Sequence, residues 1–358
     1  MIKKFFAVLL VAIMMTTTSV LAEETATRIQ YNMAVRGAIN NLPALTGMDD
    51  LIRDIDEMRT SLRNWRNHIE RTGHGTLVEI AELDRQIGDL GAQINTMRIT
   101  QEILRTSTEF AMRNSMVSIA NTELDIKLLE ANLAHERISL ENTRLRLAAG
   151  LVSESDFNVA ELALQQREAE LAARQVSLTT ERQNLNRILQ RSITGDYYIV
   201  VNKELMELPA DLNAHVRRYA PRQPNVRQRD ITVGRARSAL SAVFTDFGTP
   251  ERAERERAYN QAQRERTETL RATETAIRNQ YNNMRALMHQ NQSLEIDLLR
   301  ANERLEVARL NHAAGMATPF DILTAELAIT RIEISLQRNF NNYWNMQFAF
   351  QNPFLLAI

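Results

Sequence analysis

Six histidines, His68, His74, His135, His215, His289 and His312, are the residues of this chain best suited to metal binding or acid–base work. No two of them stand at metal-ligand spacing. The H-E-x-x-H pattern, which puts two imidazoles and a base on one helix face, does not occur. The chain has no cysteine, which removes disulfides, thiolate metal sites and a lipid-bearing N-terminal cysteine together. No Ser, Asp and His combination has the strand–turn–helix context of a nucleophile elbow, and no glycine loop has a phosphate-binding pattern. These residues argue against an enzyme, a resident metal and a cofactor. The polar residues that do recur in a pattern are Ser153 with Asp156 and Thr318 with Asp321. A hydroxyl followed by an acid three residues on is the chemistry of a helix start. The hydroxyl accepts an orphan backbone N–H, the carboxylate reaches back to the cap, and its charge complements the helix dipole.

Each of these pairs lies in a passage that occurs twice. Leu140-Glu141-Asn142-Thr143-Arg144-Leu145-Arg146-Leu147-Ala148-Ala149-Gly150 returns 165 residues later as Leu305-Glu306-Val307-Ala308-Arg309-Leu310-Asn311-His312-Ala313-Ala314-Gly315. Beyond the glycine, Ala160-Glu161-Leu162-Ala163 returns as Ala325-Glu326-Leu327-Ala328, and 12 of the 24 positions from Leu140 to Ala163 match their partners. A repeat of this size means a duplicated structural unit. Gly150 and Gly315 stand where a helix ends in a left-handed residue. Arg144 and Arg309, six residues earlier, either bond the last carbonyls or lie in solvent.

The elements that must carry these turns are long helices. The body is rich in Ala, Leu, Glu, Arg, Gln and Asn and poor in Gly, Pro and aromatics. No proline falls between Ala44 and Leu208 or between Glu251 and Thr318, and each internal proline would cost about 3 kcal/mol. In the first half, Pro43 introduces a helix predicted from about Met48 to Arg71, closed by Thr72-Gly73-His74-Gly75-Thr76. A helix of about 70 residues follows from Leu77 to Ala149, spanning on the order of 100 Å, and a third runs from Ser153 to about Arg191. In the second half, Pro221 to Asn225 introduces a helix to about Phe244, and Thr245 to Pro250 breaks it. A long helix then runs from Glu251 to Ala314, and a last one from Thr318, with Pro319 at its first position, to about Asn352. Tyr197 to Val201 is the one clear strand candidate. The expected units are a leader at 1–22, a first repeat at 23–191, a connecting segment at 192–220 and a second repeat at 221–358.

Two apolar series run along the first long helix at seven-residue spacing: Ile126, Leu133, Leu140 and Leu147, and Leu124, Ala131, Ile138 and Leu145. Offset by two residues, they lie about 200° apart. A dimeric coiled coil needs one seam; two seams suit a helix held between two neighbours in a ring or sheet of helices. The alternative is a buried helix in an ordinary bundle.

The first residues read as a secretory leader: Lys3 and Lys4, an apolar run from Phe5 to Met15, and Val20-Leu21-Ala22 as a small-residue cleavage site. A membrane anchor is the alternative, but the run is short of the roughly 20 apolar residues of a spanning helix. The formal charge of −1 gives no electrostatic case for nucleic acid. The apolar end, Phe348 to Ile358, either packs on the helices or touches a membrane or partner.

The paired turns, the lead-ins at Ala34 to Pro43 and Val216 to Arg227, and the order of one long helix with two shorter ones per half resemble the TolC-like outer membrane efflux protein family. The resemblance covers nearly all of the chain past the leader. It implies a mainly α fold: long antiparallel coiled-coil helices in two structural repeats, an α-barrel protomer with at most one or two short strands. It also implies a homotrimer acting as the conduit of a tripartite export system, exported to the periplasm or outer membrane. Gly150, Leu151, Val152 and Ser153, with Gly315, Met316, Ala317 and Thr318, would be the tips that dock a periplasmic adaptor (membrane fusion) protein serving an inner-membrane transporter. Asp156 and Asp321 match the acids that can ring the pore entrance, and Thr324 stands where some members carry a further acid. The chain departs from the family at the other end. A membrane strand needs about 9–11 alternating residues, and neither Gly73 to Thr76 nor Asp246 to Pro250 leaves room for a pair, so no β-barrel is evident. The second reading is therefore a barrel-less coiled-coil structural or interaction protein of the envelope without transport.

Overall fold

A computed structural model describes residues 27–192, 197–200, 205–241 and 250–356. The expected leader, the break around Asp246 and the last two residues lie outside these. The described chain is almost wholly helical. Strand β1 (Thr27–Gln30) leads into α1 (Tyr31–Asn40), α2 (Pro43–Thr72), α3 (Leu77–Ala148) and α4 (Glu154–Ile188). Strand β2 (Tyr197–Val200) precedes α5 (Leu212–Tyr219), a 3-10 turn at Ala220–Arg222, α6 (Pro224–Ser241), α7 (Pro250–Ala313) and α8 (Pro319–Gln351).

Local chemistry sets the helix limits. α2 begins at Pro43 rather than near Met48, because a proline at the first position brings a helical φ and lacks an N–H that would be orphaned anyway. It ends on Gly73 with φ 68°. Gly75 is needed for a different reason: a Cβ there would stand 1.8 Å from Ile69 Cγ2, so the chain can fold back this tightly only without a side chain. Thr76 and Glu79 then form a reciprocal capping box that starts α3. With 72 residues α3 is about 110 Å long, and Gly88 and Gly91 do not interrupt it. The chain passes from α2 to α3 without a strand, and no helix among the described residues is long and apolar enough to cross a membrane.

The helices form a wall one layer thick. In the half remote from the glycine tips, α2 packs on α3, α3 on α6 and α6 on α7. In the tip half, α4 packs on α3, α3 on α8 and α8 on α7. Each long helix thus spans both halves, and α3 lies between two neighbours in each; Leu133 of its first seam is buried, whereas Ile138 and Leu145 of its second seam are exposed near the tip. α2 and α4 form one edge of the wall, and α7 forms the other.

The duplication extends to the core. At the waist, α1 packs Ala34, Val35 and Ala38 against Met112 of α3 and Leu185 of α4. Its counterpart α5, with the 3-10 turn that follows it, packs Val216 and Ala220 against Ile277 and Met284 of α7 and Phe350 of α8. Met112 and Ile277, and likewise Leu185 and Phe350, keep the 165-residue offset of the glycines. β1 and β2 pair in parallel, Thr27 with Tyr197 through Gln30 with Val200, and tie the start of the first half to the connecting segment. β2 is the predicted strand. β1 is too short and too polar to stand out in the sequence. The apolar C-terminus packs inward: Phe348, Phe350 and Phe354 are buried.

Candidate functional site: hairpin tips and open edges

Both tips are built alike. Gly150 has φ 72° and Gly315 φ 73°. The Gly150 N–H donates to Leu147 O at 2.9 Å and the Leu151 N–H to Arg146 O at 2.8 Å; the Gly315 and Met316 N–H groups donate to His312 O at 2.9 Å and Asn311 O at 2.8 Å. This double closure satisfies the last helical carbonyls and depends on a left-handed residue, which glycine adopts without strain. It leaves Leu151 and Met316 projecting into solvent, 68% and 75% exposed. Exchanging either glycine for alanine is expected to cost about 1–2 kcal/mol, read as a lower thermal midpoint; a shift within error would mean that the turn tolerates another geometry.

The next helices start from the expected pairs. The Ser153 N–H and hydroxyl donate to Asp156 Oδ2 at 3.2 and 2.7 Å, and the Asp156 N–H donates back to Ser153 Oγ at 3.2 Å. The Thr318 N–H and hydroxyl donate to Asp321 Oδ2 at 2.7 and 2.8 Å. These bonds hold both carboxyls below the usual carboxylate range, the Ser153 hydroxyl contributing most for Asp156 and the Thr318 N–H for Asp321. A depressed folded-state pKa adds stability that is present above the unfolded value and is lost as pH falls through the folded one. Asp156→Asn with Asp321→Asn should therefore be less stable than the parent at neutral pH. The gap should close below about pH 4; a gap unchanged by pH in thermal melts would count against the caps.

The two tips stand side by side because α8 lies between α3 and α7. Arg167 of α4 reaches Glu136 of α3 at 3.3 Å, and Arg309 of α7 reaches Glu326 of α8 at 3.3 Å. Between the hairpins, His135 Nε2 lies 3.0 Å from Thr324 Oγ1 with its ring 4.5 Å from that of Phe320, and Arg331 donates to Asn132 Oδ1 at 2.6 Å. Only the second tip has a brace: His312 Nδ1 lies 2.9 Å from Ala317 O, where the first tip has Leu147. Arg144 faces Glu141 at 3.9 Å, a solvated pair. Two of the other histidines pack against aromatic rings, His289 Nδ1 lies 3.3 Å from Gln292 Oε1, and His74 is exposed in the turn before α3. His68 stacks on Trp65 at 5.7 Å. His215 stacks between Tyr219 and Phe350, its pKa lowered by burial and then by Arg218. Among the described residues no group of His, Asp or Glu could hold a metal ion.

At the waist is a cluster that sequence reading missed. Arg113 of α3 lies with its guanidinium carbon 4.2 Å from the Trp344 ring centre, 4.4 Å from Phe348 and 5.2 Å from Tyr31. Its Nε donates to Tyr31 Oη at 2.8 Å, and that hydroxyl donates to Glu109 Oε1 at 2.8 Å. Burial, foremost, pushes the Tyr31 hydroxyl far above its ordinary pKa. The members come from α1, α3 and α8, too far apart in sequence for any local pattern to reveal them.

The two edges of the wall carry apolar side chains with no cover. Leu51, Met58 and Trp65 recur every seven residues on α2, and Leu162, Ala169 and Val176 do so on α4; all are exposed. On the opposite edge, α7 exposes Ile296, Leu299, Val307 and Leu310 in its tip half. Each edge helix thus carries a second seam that its own chain leaves open.

No family model matches the sequence, and no curated protein matches it. Solved structures do match. The outer membrane protein VceC of Vibrio cholerae superposes with a TM-score of 0.65 at 12% identity, over 91% of this chain and 95% of VceC. The CmeC outer membrane channel of Campylobacter jejuni gives 0.64 at 13%, over 90% and 86%. The open-state MtrE outer membrane channel of Neisseria gonorrhoeae gives 0.58 at 12%, over 90% and 88%. The chain has the α-helical fold of the TolC-like outer membrane channels.

Proposed function

We propose that the protein is the conduit subunit of a tripartite export system in the cell envelope. In this reading three copies close their helical walls into a tunnel, and the Gly150 and Gly315 tips meet a periplasmic adaptor that serves an inner-membrane transporter. The observation that carries the reading is the pair of open edges. A wall one helix thick, with apolar side chains exposed on both borders and in seven-residue stripes on α2 and α4, lacks the cover that a monomer would need. Because the two borders differ, they join head to tail and close into a ring if the rotation allows. The exposed Leu151 and Met316, on rigid turns at one end, support the docking role. Asp156 and Asp321 stand beside them and would ring the entrance while serving as caps.

The test is the mass of the purified chain, without its leader, in detergent-free solution. A trimer that captures an adaptor hairpin through its tips is expected. A monomeric rod, or a filled bundle with no lumen, would favour the envelope structural protein instead.

A further inference from the structure

The free side of α7 carries a row of arginines that α3 matches at only one position, Arg113 in the place of Arg278. Arg257, Arg264, Arg271, Arg278 and Arg285 recur every seven residues, and all five are exposed. Arg264 bonds Gln261, Arg278 bonds Asn213, and none of the five meets a carboxylate among the described residues. The row lies two residues, or about 200°, from the buried positions Ala262, Ala276 and Gln280. It therefore faces away from α6, out of the wall. At the 165-residue offset, α3 has Ile99 in the place of Arg264, and Ile99 is 4% exposed. The same face is covered by the chain's own next helices on α3 and uncovered on α7.

The opposite border is acidic at the same height. α2 exposes Asp50, Asp54 and Glu57. Asp50 meets only Arg53 of its own helix, and Asp54 and Glu57 have no ion-pair partner among the described residues. Glu57 lies two residues from both Ile55 and Arg59, which turn toward α3, so it too points out of the wall. Cross-links through the wall set the height. Asp49 of α2 accepts from Gln101 of α3, the adjacent Glu102 pairs with Arg227 of α6, and Arg229 and Asp230 pair with Glu265 and Arg266 of α7. Rotation about a ring axis preserves height, so the acids of one copy would meet Arg257, Arg264 and Arg271 of the next. Both borders also change character together: the seven-residue series on α7 passes through Gln292 to Leu299, and the opposite border passes from acidic α2 to the Leu162 and Val176 stripe of α4.

We propose that this arginine row is an electrostatic lock between copies, in which Arg257, Arg264 and Arg271 pair with Asp50, Asp54 and Glu57 of the neighbouring chain. The lock rests on the ring reading. It sets the handedness and register of closure, tasks suited to charge complementarity, while the apolar tip halves supply affinity.

Charge exchange tests it. Arg264→Glu with Arg271→Glu, and separately Asp50→Arg with Asp54→Arg and Glu57→Arg, should each weaken assembly about tenfold or more, with helix content retained by circular dichroism. All five substitutions in one chain should restore assembly. Half-exchanged chains that assemble like the parent, or a full exchange that fails to restore, would overturn the lock and leave the ring standing. A parent chain that is monomeric at every concentration would overturn both.

Discussion

Replacing Arg113 by alanine is expected to lower the folding stability by about 3 kcal/mol, the largest loss from any single side chain outside the apolar cores. A desolvated cation over an aromatic face contributes about 2 kcal/mol, and a hydrogen bond from a charged donor about 1.5–3 kcal/mol. Arg113 makes three ring contacts and a bond to Tyr31, and its side chain is only 13% exposed. Removing it also leaves Glu109 and the Tyr31 hydroxyl without their cation. Arg113→Lys should recover part of the loss, because the charge remains while the flat guanidinium that stacks between rings does not. Urea unfolding followed by circular dichroism reads both. A loss below about 1 kcal/mol for alanine would mean that the cluster is incidental and the waist is held by the alanine-rich packing of α1 alone.

The second large effect concerns assembly rather than folding. Leu162→Glu with Val176→Glu should leave the monomer intact, since both side chains are exposed in it, and should abolish the proposed trimer at micromolar concentration. Burying a Leu or Val contributes about 1.5–3 kcal/mol, so losing two at each contact weakens association by roughly two to four orders of magnitude. A closed ring repeats that loss at every contact. Sedimentation at several concentrations gives the mass directly; an undiminished trimer would place the contact elsewhere.

The two halves of the molecule differed in how much of them could be read before folding. The tips were legible almost atom by atom. Gly150 and Gly315, Ser153 with Asp156 and Thr318 with Asp321 act through backbone and side-chain groups at most five residues apart, and such geometry is written in local spacing. The two seams of α3 were legible as well, because a period of seven residues is a property of one helix. Less local features were not. β1 has four residues and exists because β2 lies beside it. The separate helix α5, in the stretch expected to connect the halves, forms on a platform of Ile277, Met284 and Phe350. The Arg113 cluster unites residues more than 80 and 230 positions apart.

Sequence alone thus determined that the chain is a duplicated set of long helices with glycine-ended, hydroxyl-capped turns, because helix propensity, caps and heptad period are short-range physics. Tertiary structure decided which face of each helix is covered. The arginine row of α7 stands plainly in the sequence at seven-residue spacing, yet a charged heptad on a surface helix ordinarily means only a solvated face. It acquires meaning when the fold places it on the open border of a wall, with acids at the same height on the other border. Coverage depends on which helix lies next to which, and that is set by contacts between distant segments.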